Sequence, residues 1–154
     1  MAGIQEHNRD ILDQVRVHRD ALYESILGLE RALSAPAGER VAGWSRRASR
    51  ALGELKIAFD LHVALTEAPG GLFEDVMQEA PRLAHAIDQL RRDHEAIDAS
   101  IDDAIAQVGG LHDRAAVDRF RDFVLDVVRA LFEHRHLGAE LVYETYDVDL
   151  GAAD

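Results

Sequence analysis

Apolar residues recur along this chain in alternating steps of three and four, the spacing of one face of an α-helix. The first series is Ile11, Val15, His18, Leu22, Ile26, Leu29 and Leu33, and it predicts a helix over about 4–34. The stretch APAGE, Ala35 to Glu39, interrupts it as a short surface loop. A second series, Val41, Trp44, Ala48, Leu52, Leu55, Phe59, His62 and Leu65, predicts a helix from about Arg40. That helix stops at TEAPGG, where Pro69 and two glycines forbid continuation. Leu72 to Glu79 reads as a short helical segment, and Pro81 suits the first residue of a longer helix, where its missing N–H costs nothing. The third series, Leu83, Ile87, Leu90, His94, Ile97, Ile101 and Val108, ends at Gly109 and Gly110. Asp113 is a suitable N-cap for the last helix, whose seam of Val117, Phe120, Val124, Val127, Leu131, His134 and Leu141 runs towards Tyr146. The acidic tail 147–154, DVDLGAAD, is expected to be flexible. Four long helices joined by short loops predict one all-α domain over 1–154, an antiparallel up-and-down four-helix bundle.

Each of the four series contains one histidine: His18, His62, His94 and His134. An imidazole among aliphatic side chains is unfavourable unless its ring nitrogens find partners. Taken singly, such a histidine is more often satisfied by a core hydrogen bond than by a metal. Four at seam positions, in a repeating order in which Glu67 follows His62 and Glu140 follows His134, point instead to a shared metal centre. Imidazole and carboxylate ligands from facing helices are the donors a bundle uses to hold metal ions in its interior. Asp98, Glu74 and Glu144 are supporting or substitute ligands. Simple counting from the loops sets His62 and His134 roughly 9 Å below His18 and His94 at about 1.5 Å per residue. His7 lies three turns from His18 and reads as a terminal surface residue, while His85 and His112 read as solvated. Trp44 reads as core, Tyr143 and Tyr146 as packing residues near the site, and Arg46, Arg47 and Arg50 as a solvated basic face.

Composition narrows the chemistry. With no cysteine, disulfides, thiolate metal sites and a cysteine nucleophile are all excluded, which leaves His, Asp, Glu, Tyr or backbone groups as metal donors. A formal net charge of −12 argues against general nucleic-acid binding, because phosphate is repelled by such a surface. The opening MAGIQEHNRD lacks a basic start followed by an apolar run, and no apolar stretch approaches membrane-spanning length, so a soluble cytoplasmic protein is expected.

The four histidines, with His94 set in LRRDHEAI, resemble the hemerythrin-like family, also called HHE cation-binding domains, over nearly the whole chain. The resemblance implies a non-haem di-iron centre that binds dioxygen, nitric oxide or peroxide, or that senses iron. It assigns His18, His62, His94 and His134 as ligands, one from each long helix, with Glu67 and Glu140 as the nearest carboxylates. The family pattern places Glu four residues after His, whereas here Thr66 and Gly138 hold those positions, and Asp98 stands where the family has a second histidine on its third helix. His136 does have Glu140 at the four-residue spacing, but it points about 160° from the direction of His134 at roughly 100° per residue, so His136 is the fallback ligand. These departures keep open a site with one ion, another divalent metal or none. The alternative from a different class is a metal-free bundle acting as a protein-interaction or regulatory module. A ferritin-like oxidase is disfavoured because Glu-x-x-His does not occur on two helices. The sequence leaves monomer and homodimer, and the presence of turnover, undecided.

Overall fold

The computed structural model describes residues 2–150, and within them the chain is all-helical. Its elements are α1 (Ala2–Ser34), α2 (Val41–Glu67), a short α3 (Leu72–Glu79), a 3-10 turn (Pro81–Leu83), α4 (Ala84–Val108) and α5 (Arg114–Tyr146). The punctuation acts largely as its chemistry demands. Asp113 caps α5 by accepting from the Ala116 N–H at 2.7 Å. Gly70 takes the left-handed φ of 77° that ends the α2 turn. A Cβ on Gly71 would stand 2.5 Å from the Leu65 carbonyl oxygen, so the chain needs glycine there to fold α3 back against α2. Pro81 opens the 3-10 turn rather than α4 itself, and the α-helix follows at Ala84.

α1 packs on α2, α2 on α4, α4 on α5, and α5 back on α1, closing a helical bundle. Its interior divides into two apolar clusters. The larger, towards the α1–α2 and α4–α5 loops, includes Leu22, Ile26, Trp44, Leu52, Phe59, Ile101, Phe120 and Leu131. The smaller, towards α3, is built from Ile11, Val15, Leu72, Phe73, Val76, Ile87, Leu90, Leu141 and Val142. Trp44 anchors the larger cluster, fully buried, its indole N–H donating to the Ala35 carbonyl at 2.9 Å and its ring edge-on to Phe120. Tyr146 donates its hydroxyl to the buried Asp75 carboxylate, tying the end of α5 to α3, and burial followed by this bond raises the phenol's pKa. Asp147, with a left-handed φ of 57°, turns the chain so that Val148 and Leu150 pack on the smaller cluster. Of the tail expected to be flexible, residues 151–154 lie outside the described residues. No helix among the described residues is long and apolar enough to cross a membrane.

One seam position differs from the pattern. Along α1 the buried series is Ile11, Val15, Arg19, Leu22, with Arg19 taking the inward place expected for His18, which is only partly covered. A step of four then three suits a helix as well as three then four, so the periodicity could not separate the neighbours. Arg19 and Arg135 are bonded reciprocally: each guanidinium donates to the other residue's backbone carbonyl, at 2.9 and 2.7 Å, which clamps α1 to α5.

Candidate metal centre

Three imidazoles meet where the two apolar clusters join. His62 comes from the last turns of α2, His94 from the middle of α4 and His134 from α5. The Nε2 atom of His62 lies 3.1 Å from that of His134 and 3.2 Å from that of His94. Phe59 of the larger cluster meets the His94 ring edge-on, and Phe73 of the smaller one stacks on it at 5.7 Å between centroids. Loop lengths and α3 therefore absorb the offset in height that simple counting gives.

Hydrogen bonding fixes the tautomer of one ring and constrains the others. His94 Nδ1 is 2.5 Å from Glu67 Oε1, so this nitrogen carries the proton and the Nε2 lone pair faces inward. His62 Nε2 faces both of its neighbours, and a neutral imidazole nitrogen holds either one proton or one lone pair. One proton cannot serve both contacts, so one of them lacks a hydrogen bond unless a cation lies among the three nitrogens. Metal–imidazole bonds of about 2.0–2.1 Å set neighbouring nitrogens about 3.3–3.4 Å apart in a tetrahedron and about 2.8–3.0 Å apart in an octahedron. The observed 3.1 and 3.2 Å fall between these values.

The electrostatics keep the rings neutral, as ligation requires. Burial, followed by the charge of His134, pushes His62 well below the usual imidazole range. Burial, followed by the charge of His94, brings His134 down to about 4. Burial also lowers His94, with Glu67 opposing it. In the metal-free protein His134 favours the native state only while unprotonated, so its contribution is complete above the unfolded value near 6.5 and is lost as pH falls towards about 4, and His62 and His94 act in the same direction. We expect the stability of chelator-treated protein to fall across this window, on the order of 3 kcal/mol for His134 alone. Urea unfolding midpoints between pH 7.5 and 4 check this, and a flat profile would count against neutral buried imidazoles.

The remaining candidate ligands lie elsewhere. His18 is absent from the converging group. Glu67 stands behind His94 rather than facing the three nitrogens. Glu140 pairs with His136 at 3.1 Å on the exposed side of α5. Asp98 joins Asp60 and Asp102 around Lys56, raising the lysine's pKa, first through the Asp98 hydrogen bond. Glu74 accepts from the Gly70 N–H at 3.0 Å, and Glu144 is exposed on α5. His7 is exposed, 3.8 Å from Asp75, and His85 and His112 are exposed. Residues that the pattern did not single out complete the surroundings: Arg19, Phe73 and Asp93. Asp93 lies directly before His94 in sequence, the one local signal that could have marked it.

A cavity of about 40 Å³ adjoins His62 and His134, walled by Val15, Leu65, Phe73, Leu90, Leu141 and Leu150. That is room for one or two water-sized molecules. Thr66 and Gly138, the positions at which the hemerythrin-like pattern carries glutamate, both line it. The Thr66 hydroxyl bonds back to the His62 carbonyl at 2.9 Å, so no acidic side chain enters from either position. Comparison with known proteins gave no matching family model, no matching curated protein and no matching solved structure.

Proposed function

We propose that this chain is a metal-binding bundle that holds one divalent first-row ion, iron or zinc being the natural candidates, on the Nε2 atoms of His62, His94 and His134. The convergence of the three rings carries the reading, with His62 Nε2 3.1 and 3.2 Å from the Nε2 atoms of His134 and His94 and a ligand atom of each ring within 4.8 Å of the others, and three neutral imidazoles are a donor set that suits such ions. Glu67 orients His94 and supplies negative charge close to the buried dication. Phe59, Phe73 and the cavity walls exclude bulk water. A metal so held supplies Lewis acidity or redox chemistry, and the cavity beside His62 and His134 admits a small uncharged ligand of the size of dioxygen, nitric oxide or peroxide. The bundle is read as antiparallel and up-and-down. Arg19 pairing with Arg135 while Leu33 pairs with Arg121 supports this, since α1 numbers rise as α5 numbers fall.

The hemerythrin-like reading belongs to the same proposal in its bundle and in three of its four histidines. Its second iron is less well supported, because Arg19 rather than His18 faces the centre from α1 and places a cation beside His62 and His134. The deciding experiment is elemental analysis of untagged protein, followed by anaerobic titration with ferrous iron and with zinc. About one equivalent bound, with a melting temperature that rises by mass action, supports the one-ion site. Two irons per chain favour the di-iron reading. No uptake leaves a metal-free bundle and favours an interaction module.

A further inference from the structure

The two outer nitrogens of the inward-facing pair His94 and His134 are treated differently. His94 Nδ1 has Glu67 at 2.5 Å. His134 Nδ1 is buried with no hydrogen-bond partner, in a side chain 3% exposed. Asp93 Oδ2 lies 3.6 Å away, beyond hydrogen-bonding distance but within reach of a small side-chain rotation. Asp93 is held on its other oxygen, where Oδ1 accepts from Gln89 Nε2 at 2.9 Å, and Gln89 Oε1 in turn accepts from Arg92 Nη2 at 3.0 Å. A hydrogen-bonded chain on α4 thus holds Asp93 beside His134.

A cation on His134 Nε2 forces the remaining ring proton onto Nδ1. A buried N–H without an acceptor is unfavourable, and an imidazole bound to a dication is a stronger donor than a free one. Both effects draw the nearby carboxylate in. Charge accounting points the same way, since three neutral imidazoles leave a bound dication uncompensated and Glu67 supplies only one negative charge beside it.

We infer that Asp93 is a positioning residue for His134: its carboxylate closes onto Nδ1 when the three imidazoles take up a divalent cation, pairing with Glu67 on His94 to favour a doubly charged ion. This rests on the metal-binding reading above. It makes Asp93, on the helix that carries His94, a determinant of affinity at His134 on the neighbouring helix.

The test uses the full chain and cobalt or zinc ions alone, titrated in competition with a chromophoric chelator. Wild type is compared with Asp93→Ala, Asp93→Asn and Asp88→Asn, the last an exposed carboxylate on the same helix. Asp93→Ala is expected to weaken binding about 10–100-fold, with an altered cobalt absorption spectrum. Asp93→Asn, whose amide oxygen still accepts, should recover part of the loss, and Asp88→Asn should stay within about twofold of wild type. Circular dichroism of the metal-free variants verifies the fold, and Asp93→Asn keeps the test open should the alanine variant unfold. Wild-type affinity and spectrum in both Asp93 variants would overturn the inference while leaving the three-histidine site standing. A wild-type chain that takes up neither ion would overturn both.

Discussion

Replacing any one of His62, His94 and His134 with alanine is expected to reduce bound metal from about one equivalent to near zero, while His18→Ala and His136→Ala leave it unchanged. Each of the three contributes one of the converging nitrogens, with His62 3.1 and 3.2 Å from the other two, and a bundle interior offers no water-rich substitute for a lost ligand. Removing a residue that only orients a ligand costs about 10–100-fold in affinity, so removing a ligand itself should cost more. The contrast with His18 and His136 gives the experiment its discrimination: His18 lies outside the converging group, and His136 pairs with Glu140 on the exposed side. Elemental analysis after dialysis against a weak chelator reads the outcome. Full stoichiometry in His62→Ala and His94→Ala would sink the assignment, and loss in His18→Ala would return the helix-one histidine to the site. Because the two apolar clusters that hold the helices together remain in place, the alanine variants should keep their helical content.

Trp44→Ala is expected to destabilise the chain by about 3–5 kcal/mol, the cost of emptying a large buried aromatic site. For a chain of this length that lowers the melting temperature by roughly 6–20 °C. Three contacts place Trp44 near the upper end of that range. Its ring is fully buried, its indole N–H satisfies the Ala35 carbonyl where α1 ends, and the Arg121 guanidinium lies 5.2 Å above its face. Arg121 also donates to the Leu33 and Ala35 carbonyls at 2.6 and 2.9 Å, so losing the ring loosens the anchor between α1, α2 and α5. Thermal unfolding of the metal-free protein is the measurement. A change under about 1 kcal/mol would mean that this end of the bundle collapses around the gap. Since Trp44 belongs to the larger cluster, away from the histidines, the variant should still take up metal below its melting temperature, which separates the stability effect from ligand loss.

Much of the architecture was written in the order of residues. The apolar steps of three and four, the breakers at APAGE and TEAPGG and the cap at Asp113 mark all four long helices, because helix formation and termination depend on local backbone and capping chemistry. The inward direction of His94 and His134 was legible too, each lying between seam residues that are themselves buried. Rotation of α1 was not. His18 and Arg19 both satisfy the helical step, and only packing against α5, with the reciprocal Arg19 and Arg135 carbonyl bonds, turns Arg19 inward and His18 aside. Nor could spacing tell a bridging carboxylate from one that orients a ring. Glu67 ends α2, and its carboxylate reaches Nδ1 of His94 because α4 crosses there; Glu140 finds His136 one turn away on its own helix. The sequence by itself determined which residues form helices and which faces those helices bury. The tertiary structure decided which three imidazoles converge, that Glu67 stands behind His94 and that a cavity lies at Thr66 and Gly138, because these depend on helix rotation and crossing over distances that no local periodicity encodes.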